Sequence, residues 1–443
     1  MREWPFRLRP PQVLALGFVV VIATGTLLLS LPVASENGQP VVLIDALFTA
    51  TSATAVTGLI TVDTQTTYSL FGELIILALI QTGGLGFMTL STLVALLIGK
   101  RITLKERLVI QEAMNQLSVE GVVRLIRYVL FFTFMAEGLG AVLLSIRFSS
   151  QMPLGQAVYF GIFHAVSAFC NAGFDLFSRS LVDYRGDWFV SLVITSLIIS
   201  GGLGFSVVAD LYTKRSWQRL SLNSKLIIRT SLLLIIAATV IIFILEYNNS
   251  KSLAPLPLDE KILASYFQAV TPRTAGFNTL NISDLRPATL LFIITLMFIG
   301  ASPGSTGGGI KTTTFAAIAV AVWTIIRGNY DIEIFGRRLP RGTVLKALAI
   351  AAVSMLLVLT VTGVLLITEQ AEMQVVLFEA TSAFGTVGLS MGLTPHLSVI
   401  GKLLIAATMF SGRVGPLTLA FAIAHRLGRQ GVKHYPEEGV IIG

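Results

Sequence analysis

Four short stretches of this chain have nearly the same sequence, and this repeat constrains the fold more than any other feature. Each carries an aromatic residue near its start, continues through small residues for about three helical turns, and ends on a glycine followed by Leu or Phe. They read LFTATSATAVTGL (47–59), IFHAVSAFCNAGF (162–174), YFQAVTPRTAGF (266–277) and LFEATSAFGTVGL (377–389). The third is one residue shorter between its aromatic residue and its glycine. Four spaced copies of one pattern indicate a repeat architecture.

The composition places these repeats in a membrane. The 443 residues are 54% hydrophobic and only 13% charged, whereas soluble globular proteins carry about 25% charged residues. The single cysteine, Cys170, excludes an intramolecular disulfide and a metal site built from cysteines. The net charge of +8 comes from basic residues that cluster beyond apolar spans, so no nucleic-acid partner is expected. The first apolar run lacks a cleavage site and is predicted to be a retained helix.

Eight apolar stretches are long enough to cross the hydrocarbon core of a membrane, which takes a helix of roughly 20 residues. They are 13–31, 70–98, 128–146, 189–212, 226–245, 290–326, 344–367 and 403–424. Each repeat lies between two of them, which predicts units at 11–100, 122–214, 223–328 and 343–427 with pore loops at 45–60, 160–175, 264–278 and 376–390, and a cytoplasmic tail at 428–443. The predicted fold is an all-α integral membrane protein, in which four helix, pore loop, helix units surround a pseudo-fourfold pore and supply eight transmembrane helices.

The distribution of charge predicts the orientation of these units. Lysine and arginine concentrate in the connections between units and near both ends of the chain, whereas the loops within units are acidic or mixed. Both termini should therefore be cytoplasmic, and the repeats should enter the membrane from outside. The main alternative is a secondary transporter with inverted repeats, but this requires units of opposite orientation. All four units here share one predicted orientation.

The repeated motifs are too short to span a membrane and are predicted to be re-entrant. Backbone that leaves the helix at membrane depth is tolerated only beside protein or a water-filled cavity. The four residues that end on each glycine are the candidate filter segments: Ala55, Val56, Thr57, Gly58; Cys170, Asn171, Ala172, Gly173; Arg273, Thr274, Ala275, Gly276; and Gly385, Thr386, Val387, Gly388. None carries a carboxylate, so backbone carbonyls and hydroxyls would bind a large monovalent cation rather than calcium. The alternative is that the small residues only permit tight helix crossing.

The second apolar span of the third unit is interrupted by GASPGSTGGGIK. The predicted gate beneath the filter comprises Gly300, Ala301, Ser302, Pro303, Gly304, Ser305, Thr306, Gly307, Gly308, Gly309, Ile310 and Lys311. Glycine and proline at this density cannot remain helical. A phosphate-binding loop is the alternative interpretation, but Ile310 separates the last glycine from Lys311, and an apolar helix rather than a strand precedes it.

Arg413 lies within the last span, where an unpaired charge is costly. It is predicted to face the loop or the cavity as an electrostatic barrier or latch; the alternative is an ion pair with Glu137 or another buried acid. The histidines are isolated and are assigned no chemistry. A membrane enzyme is disfavoured, because no paired carboxylates, histidine cluster or nucleophile with a base lie at one depth.

With four such units, one glycine per motif, the glycine-rich insertion and the arginine in the last span, the chain resembles the Ktr/Trk/HKT superfamily of potassium transporters over essentially its whole length, and within it the KtrB-type membrane subunit. The resemblance implies K⁺ selection at Gly58, Gly173, Gly276 and Gly388, a gate formed by the insertion, and Arg413 beside it. Relatives with serine at the position of Gly58 tend to pass Na⁺.

The resemblance also implies a homodimer in the plasma membrane, surrounded by lipid, with a cytosolic octameric ring of RCK-type regulatory subunits. No cofactor is implied for this chain; ATP and ADP, and in the family also cyclic di-AMP, would act on the partner ring. Family transport is often Na⁺-dependent, and the sequence leaves open whether Na⁺ is co-transported or regulatory, the transport stoichiometry, and the role of the tail.

Overall fold

The computed structural model describes residues 10–86, 122–329 and 331–415, together with residues 89, 108 and 111. The ends predicted for unit 1 and unit 4, the predicted tail 428–443 and the basic residues near both chain ends lie outside the described residues. Within them the protein is mostly helical, as expected.

The described part of each unit runs from a long first helix through a short helix to a second helix. Unit 1 contains α1 (Pro10–Leu29), α2 (Leu43–Ala55), α3 (Thr64–Thr67) and α4 (Leu70–Leu85). Unit 2 contains α5 (Val122–Phe148), α6 (Leu154–Phe169), α7 (Trp188–Gly202) and α8 (Phe205–Lys214). Unit 3 contains α9 (Leu222–Glu246), α10 (Leu258–Val270), α11 (Pro287–Phe298) and α12 (Thr312–Ile326), and unit 4 contains α13 (Arg341–Thr368), α14 (Met373–Gly385) and α15 (Val399–Val414). Short 3-10 turns occur at Pro32–Ala34, Val182–Tyr184, Trp217–Arg219, Ile282–Asp284 and Thr394–His396.

The first helix of each unit is long and apolar enough to cross a membrane. Within the described residues these helices are Pro10–Leu29, Leu125–Phe148, Leu222–Glu246 and Arg341–Thr368, with mean hydropathies of 2.0 to 2.7. Most of their side chains are not buried against the protein; Leu232, Leu233 and Ile236 on α9, for example, are more than half exposed. Such a surface suits lipid rather than water. The eight-span count stays a prediction, because spans 70–98 and 403–424 extend beyond the described residues.

The second helices begin at side-chain caps. Ser69, Asp187 and Ser398 precede α4, α7 and α15 and accept hydrogen bonds from the backbone N–H groups of Gly72, Val190 and Gly401. In unit 3 the residue before α11, Arg286, provides no side-chain cap; its own N–H donates at 2.9 Å to Glu246 at the end of α9. Capping satisfies N–H groups that a helix start leaves unpaired.

The second helices break at equivalent glycines. Gly86, Gly204 and Gly415 have φ of 79°, 93° and 92°, and α7 meets α8 at an angle of 93°. The span predicted at 189–212 is therefore not one straight helix. A glycine with positive φ lies at the end of the helix in each case, a backbone conformation that favours glycine. In unit 3 the break is the longer non-helical segment between α11 and α12.

A two-stranded hairpin departs from the all-α prediction. Strand β1 (Glu333–Ile334) pairs antiparallel with β2 (Arg337–Arg338). The turn residues Phe335 and Gly336 both have positive φ, 50° and 69°, as a type I′ turn requires. Phe is an unusual residue at the first turn position, which is why no hairpin was predicted here.

Candidate ion-conduction site

The four motif glycines lie against one another in a closed ring, here called the four-glycine ring. All have positive φ, from 68° at Gly173 to 91° at Gly388. A Cβ added to each would strike the carbonyl oxygen that precedes the next glycine: Gly58 on Ala172 at 2.5 Å, Gly173 on Ala275 at 2.9 Å, Gly276 on Val387 at 2.8 Å and Gly388 on Thr57 at 2.2 Å. The ring follows chain order and closes from unit 4 to unit 1. Only glycine combines this backbone conformation with this proximity.

The residue two positions before each glycine is also left-handed. Val56, Asn171, Thr274 and Thr386 have φ of 52°, 59°, 75° and 51°. For a residue other than glycine this conformation costs on the order of 1–3 kcal/mol, and it persists only where the surroundings enforce it. The four segments therefore share one strained backbone conformation, although their side chains differ.

Hydrogen bonds at the end of each short helix enforce this conformation. The N–H groups of Thr57, Ala172 and Val387 bond to the carbonyls of Ser52, Ser167 and Ser382, at 2.8, 2.8 and 2.9 Å. In unit 3 the Ala275 N–H bonds to the carbonyl of Thr271 at 2.9 Å, so this turn is one residue tighter. The shorter third motif therefore forms the same ring with one residue fewer.

Arg273 is the charged member of the candidate filter segments, and its side chain leaves the ring. Its guanidinium donates a hydrogen bond of 3.0 Å to the hydroxyl of Ser231 on α9. The positive charge is thus directed to the first helix of the same unit rather than to the glycines. Arg273 therefore contributes its backbone, and not its side chain, to the filter segment.

A cavity of about 380 Å³ opens above the ring. All four motif glycines line it, together with Asp175, Arg179 and several hydroxyl and amide side chains. Asp175 accepts a hydrogen bond of 3.0 Å from the Phe177 N–H. Burial raises the pKa of Asp175 to about 6, with repulsion from Asp63 adding to the effect and backbone N–H groups opposing it.

The non-helical segment of unit 3 lies on the other side of the candidate filter segments. Three consecutive residues contact three different units. The Thr306 hydroxyl donates to the carbonyl of Phe169 at 3.3 Å, Gly307 packs so closely on the Thr274 hydroxyl that a Cβ would lie 2.0 Å from it, and the Gly308 N–H donates to the Thr386 hydroxyl at 3.0 Å. The loop thus sits across the ends of the segments of units 2, 3 and 4.

The break in the second helix of unit 2 holds this loop. The N–H groups of Ser302 and Thr306 donate to the carbonyls of Gly202 and Gly201, at 3.1 and 3.2 Å, and the Phe205 N–H donates to the carbonyl of Gly304 at 2.8 Å. Backbone groups freed by the bend between α7 and α8 are therefore satisfied by the loop. This contact between units was not predicted from the sequence.

Arg413 joins the loop to unit 1. Its guanidinium donates to the carbonyls of Thr306 and Gly83, and to that of Gly84 at 3.1 Å. Lys311 donates to the neighbouring carbonyl of Gly307 at 2.8 Å. Among the described residues Arg413 forms no ion pair with Glu137; its guanidinium contacts the loop and unit 1 instead.

One layer of polar side chains was missed by the sequence analysis. Thr49, His164, Gln268 and Glu379 occupy equivalent positions in the four short helices, and three of them are bonded to the segment that follows the ring. His164 accepts from the Leu176 N–H at 3.3 Å, Thr49 accepts from the Tyr68 hydroxyl at 3.1 Å, and Glu379 accepts from the Met391 N–H at 3.1 Å. His164 therefore links its short helix to the segment that follows the ring. Aligning the four motifs in register would have shown that this position is polar in all four.

Comparisons with known proteins agree with this architecture. The model of the TrkH family, described as a cation transport protein, matches residues 9–430. The Ktr system potassium uptake protein B of Bacillus subtilis is 46% identical over 99% of this chain and 97% of that protein. The potassium/sodium uptake protein NtpJ of Enterococcus hirae is 39% identical over 99% of this chain and 98% of that protein.

Solved structures show the same fold at lower sequence identity. The crystal structure of the potassium transporter TrkH from Vibrio parahaemolyticus superposes with a TM-score of 0.72, at 16% identity, over 96% of this chain and 87% of that one. The matching family consists of ion transporters and not enzymes. The multi-pass chain therefore belongs to the TrkH family of cation transport proteins.

Proposed function

We propose that this protein conducts K⁺ across the plasma membrane through the four-glycine ring, as the ion-translocating subunit of a Ktr-type uptake system. The observation that supports this most strongly is the cyclic contact pattern, in which each glycine lies against the carbonyl that precedes the next glycine. Carbonyl oxygens brought together around one axis can replace the hydration shell of a dehydrated alkali cation.

The surroundings of the ring favour a cation. Each short helix ends within a few residues of its motif glycine and directs its partly negative C-terminus towards the ring. The candidate filter segments, Ala55 to Gly58, Cys170 to Gly173, Arg273 to Gly276 and Gly385 to Gly388, carry no carboxylate, which disfavours calcium. One glycine per segment gives a short filter with few ion sites.

The gate in this proposal is the loop from Gly300 to Lys311, which would close the pathway by its contacts with the filter segments. Thr306, Gly307 and Gly308 lie across the end of the filter segments. Arg413 fixes Thr306 to unit 1. Opening requires these contacts to break, so that hydrated K⁺ reaches the ring from inside.

We further propose a homodimer regulated by a cytosolic octameric RCK-type ring that binds ATP or ADP, with both termini of this chain cytoplasmic. The Bacillus relative is named as protein B of a Ktr system, and the name of the Enterococcus relative includes sodium. Removing external Na⁺ from an uptake assay of this chain tests the Na⁺ dependence directly.

Potassium uptake in a K⁺-transport-deficient bacterium tests the proposed function. The native chain should restore growth at low K⁺ and take up K⁺ in preference to Na⁺. Gly58→Ser should shift this preference towards Na⁺ by about tenfold, a change of about 1.4 kcal/mol, because its Cβ would lie 2.5 Å from the Ala172 carbonyl and displace it. An unchanged ion preference in Gly58→Ser would reject the filter assignment.

Uptake should also depend on external pH through Asp175. Because the pKa of Asp175 is raised to about 6, its carboxylate is ionised at neutral pH and becomes protonated as the pH falls through that value. We expect the K⁺ concentration for half-maximal uptake to rise about threefold between pH values of about 7.5 and 5, since a charge above the ring is lost. Asp175→Asn should show the weaker affinity at both pH values. A native pH profile in Asp175→Asn would contradict this role.

A further inference from the structure

A carboxylate of a first helix lies directly behind one of the candidate filter segments. Glu137 on α5 is 6% exposed. One of its oxygens accepts a hydrogen bond of 3.2 Å from the Gln81 side-chain amide, and the other faces the Cys170 thiol at 3.8 Å. Burying an acidic side chain at membrane depth is costly unless it has partners, and here these are Gln81 and Cys170.

The arrangement distinguishes the filter segment of unit 2 from those of units 1 and 4. Cys170, the first residue of its segment, is fully buried, and its sulfur also lies 3.7 Å from the side-chain amide oxygen of Gln81. The equivalent residues Ala55 and Gly385 have no side-chain donor. Unit 3 uses a comparable contact, from Arg273 to Ser231 on its own first helix. Two neighbouring segments of the ring are thus held from behind by side chains that reach a first helix.

The other side of the same segment contacts the candidate gate. The carbonyl of Phe169, immediately before Cys170, accepts from Thr306. The Cys170 sulfur packs on Gly84, where a Cβ would lie 2.6 Å away, and the Gly84 carbonyl accepts from Arg413. The segment from Cys170 to Gly173 is therefore held between Glu137 and Gln81 behind it and the gate contacts beneath it.

We propose that Glu137 is a positioning residue for ion selectivity, acting through Cys170 to fix the filter segment of unit 2. The proposal rests on the proposed K⁺ conduction through the four-glycine ring. Asn171, Ala172 and Gly173 follow Cys170 directly, and the Ala172 carbonyl is the oxygen that lies against Gly58. A shift of the Cys170 side chain therefore moves a carbonyl of the ring.

A double-mutant cycle tests this inference in the full-length chain. Glu137→Ala should lower the preference for K⁺ over Na⁺ about fivefold, the value of one hydrogen bond, and Cys170→Ala should lower it to a similar extent. In the Cys170→Ala background, Glu137→Ala should add little, because both changes remove the same contact. Glu137→Gln keeps an acceptor for the thiol and should restore most of the native preference.

Thr133→Ala is the matched control. Thr133 lies one turn before Glu137 on the same face of α5, is fully buried, and its hydroxyl has no hydrogen-bond partner among the described residues. Its substitution should leave ion preference unchanged when protein levels in the membrane are equal.

The possible outcomes separate this inference from the proposed function. Native ion preference in Glu137→Ala, or additive effects of the Glu137 and Cys170 substitutions, would overturn the positioning role while leaving K⁺ conduction intact. If the native chain took up no K⁺, the proposed function itself would fail. Should Glu137→Ala not reach the membrane, the Cys170→Ala and Glu137→Gln variants carry the test: a native preference in Cys170→Ala overturns the inference.

Discussion

Gly388→Ala should abolish K⁺-selective uptake while leaving the chain in the membrane. The added Cβ would lie 2.2 Å from the Thr57 carbonyl oxygen and 3.1 Å from the Cα atoms of both Gly58 and Gly276. No flexible side chain can give way there, because all three contacts are with backbone. The ring must open on the side where unit 4 meets unit 1, and we expect K⁺ uptake to fall by at least about a hundredfold, equivalent to the loss of about 2.7 kcal/mol of ion stabilisation.

Gly392→Ala provides the control for this prediction. Gly392 has φ of +92°, against +91° for Gly388, but nothing lies within 4 Å of its added Cβ. Both substitutions therefore impose the same left-handed strain, about 1 to 2 kcal/mol, and differ only in the contact with the ring. Rates of K⁺ uptake should separate the two variants. Equal losses in both would mean that backbone strain, and not the carbonyl contact, is responsible.

Arg413→Gln should produce the opposite result, an increased K⁺ flux. The guanidinium holds the carbonyls of Thr306, Gly83 and Gly84 together, and hydrogen bonds from a charged donor contribute about 1.5–3 kcal/mol each. Removing this link between the loop and unit 1 favours the displaced loop. We expect flux through the purified chain in liposomes to rise about tenfold or more.

Two companion variants define the interpretation of the Arg413 result. Ser411→Ala, on the same helix, removes only a hydroxyl that bonds to the Ala407 carbonyl within the helix, and it should leave flux unchanged. Deleting residues 303–308 should raise flux as Arg413→Gln does. Unchanged flux in both the deletion and Arg413→Gln, at native protein levels, would exclude the loop as a gate.

The residues of the ring could be predicted from the sequence because each of the four motifs ends on a glycine. Four motifs ending on Gly58, Gly173, Gly276 and Gly388 could be aligned without coordinates, and even the shorter third motif was visible as a one-residue difference. The contrast between the long first helices and the short helices followed from the lengths of the apolar runs. These are local features, since they depend on the order of residues along the chain.

Side-chain roles were harder to predict from the sequence. Arg273 stands among the candidate filter residues by position, yet its guanidinium bonds to Ser231. His164 was assigned no chemistry, although it receives the Leu176 N–H. The sequence left two partners open for Arg413, and the structure shows carbonyl groups of unit 1 and unit 3. In each case the hydrogen-bond partner lies in another segment of the chain. A local sequence pattern does not specify such a partner.

The sequence by itself determined that this is a helical membrane protein and predicted four related units, because apolar length and glycine spacing are properties of the linear chain. Only the tertiary structure decided that each glycine lies against the carbonyl before the next glycine, that the loop of unit 3 rests on the broken helix of unit 2, and that Glu137 stands behind Cys170. The physical reason is that these contacts join backbone groups distant in sequence, and backbone carbonyls are chemically identical in every residue. Their partners are therefore set by packing in three dimensions.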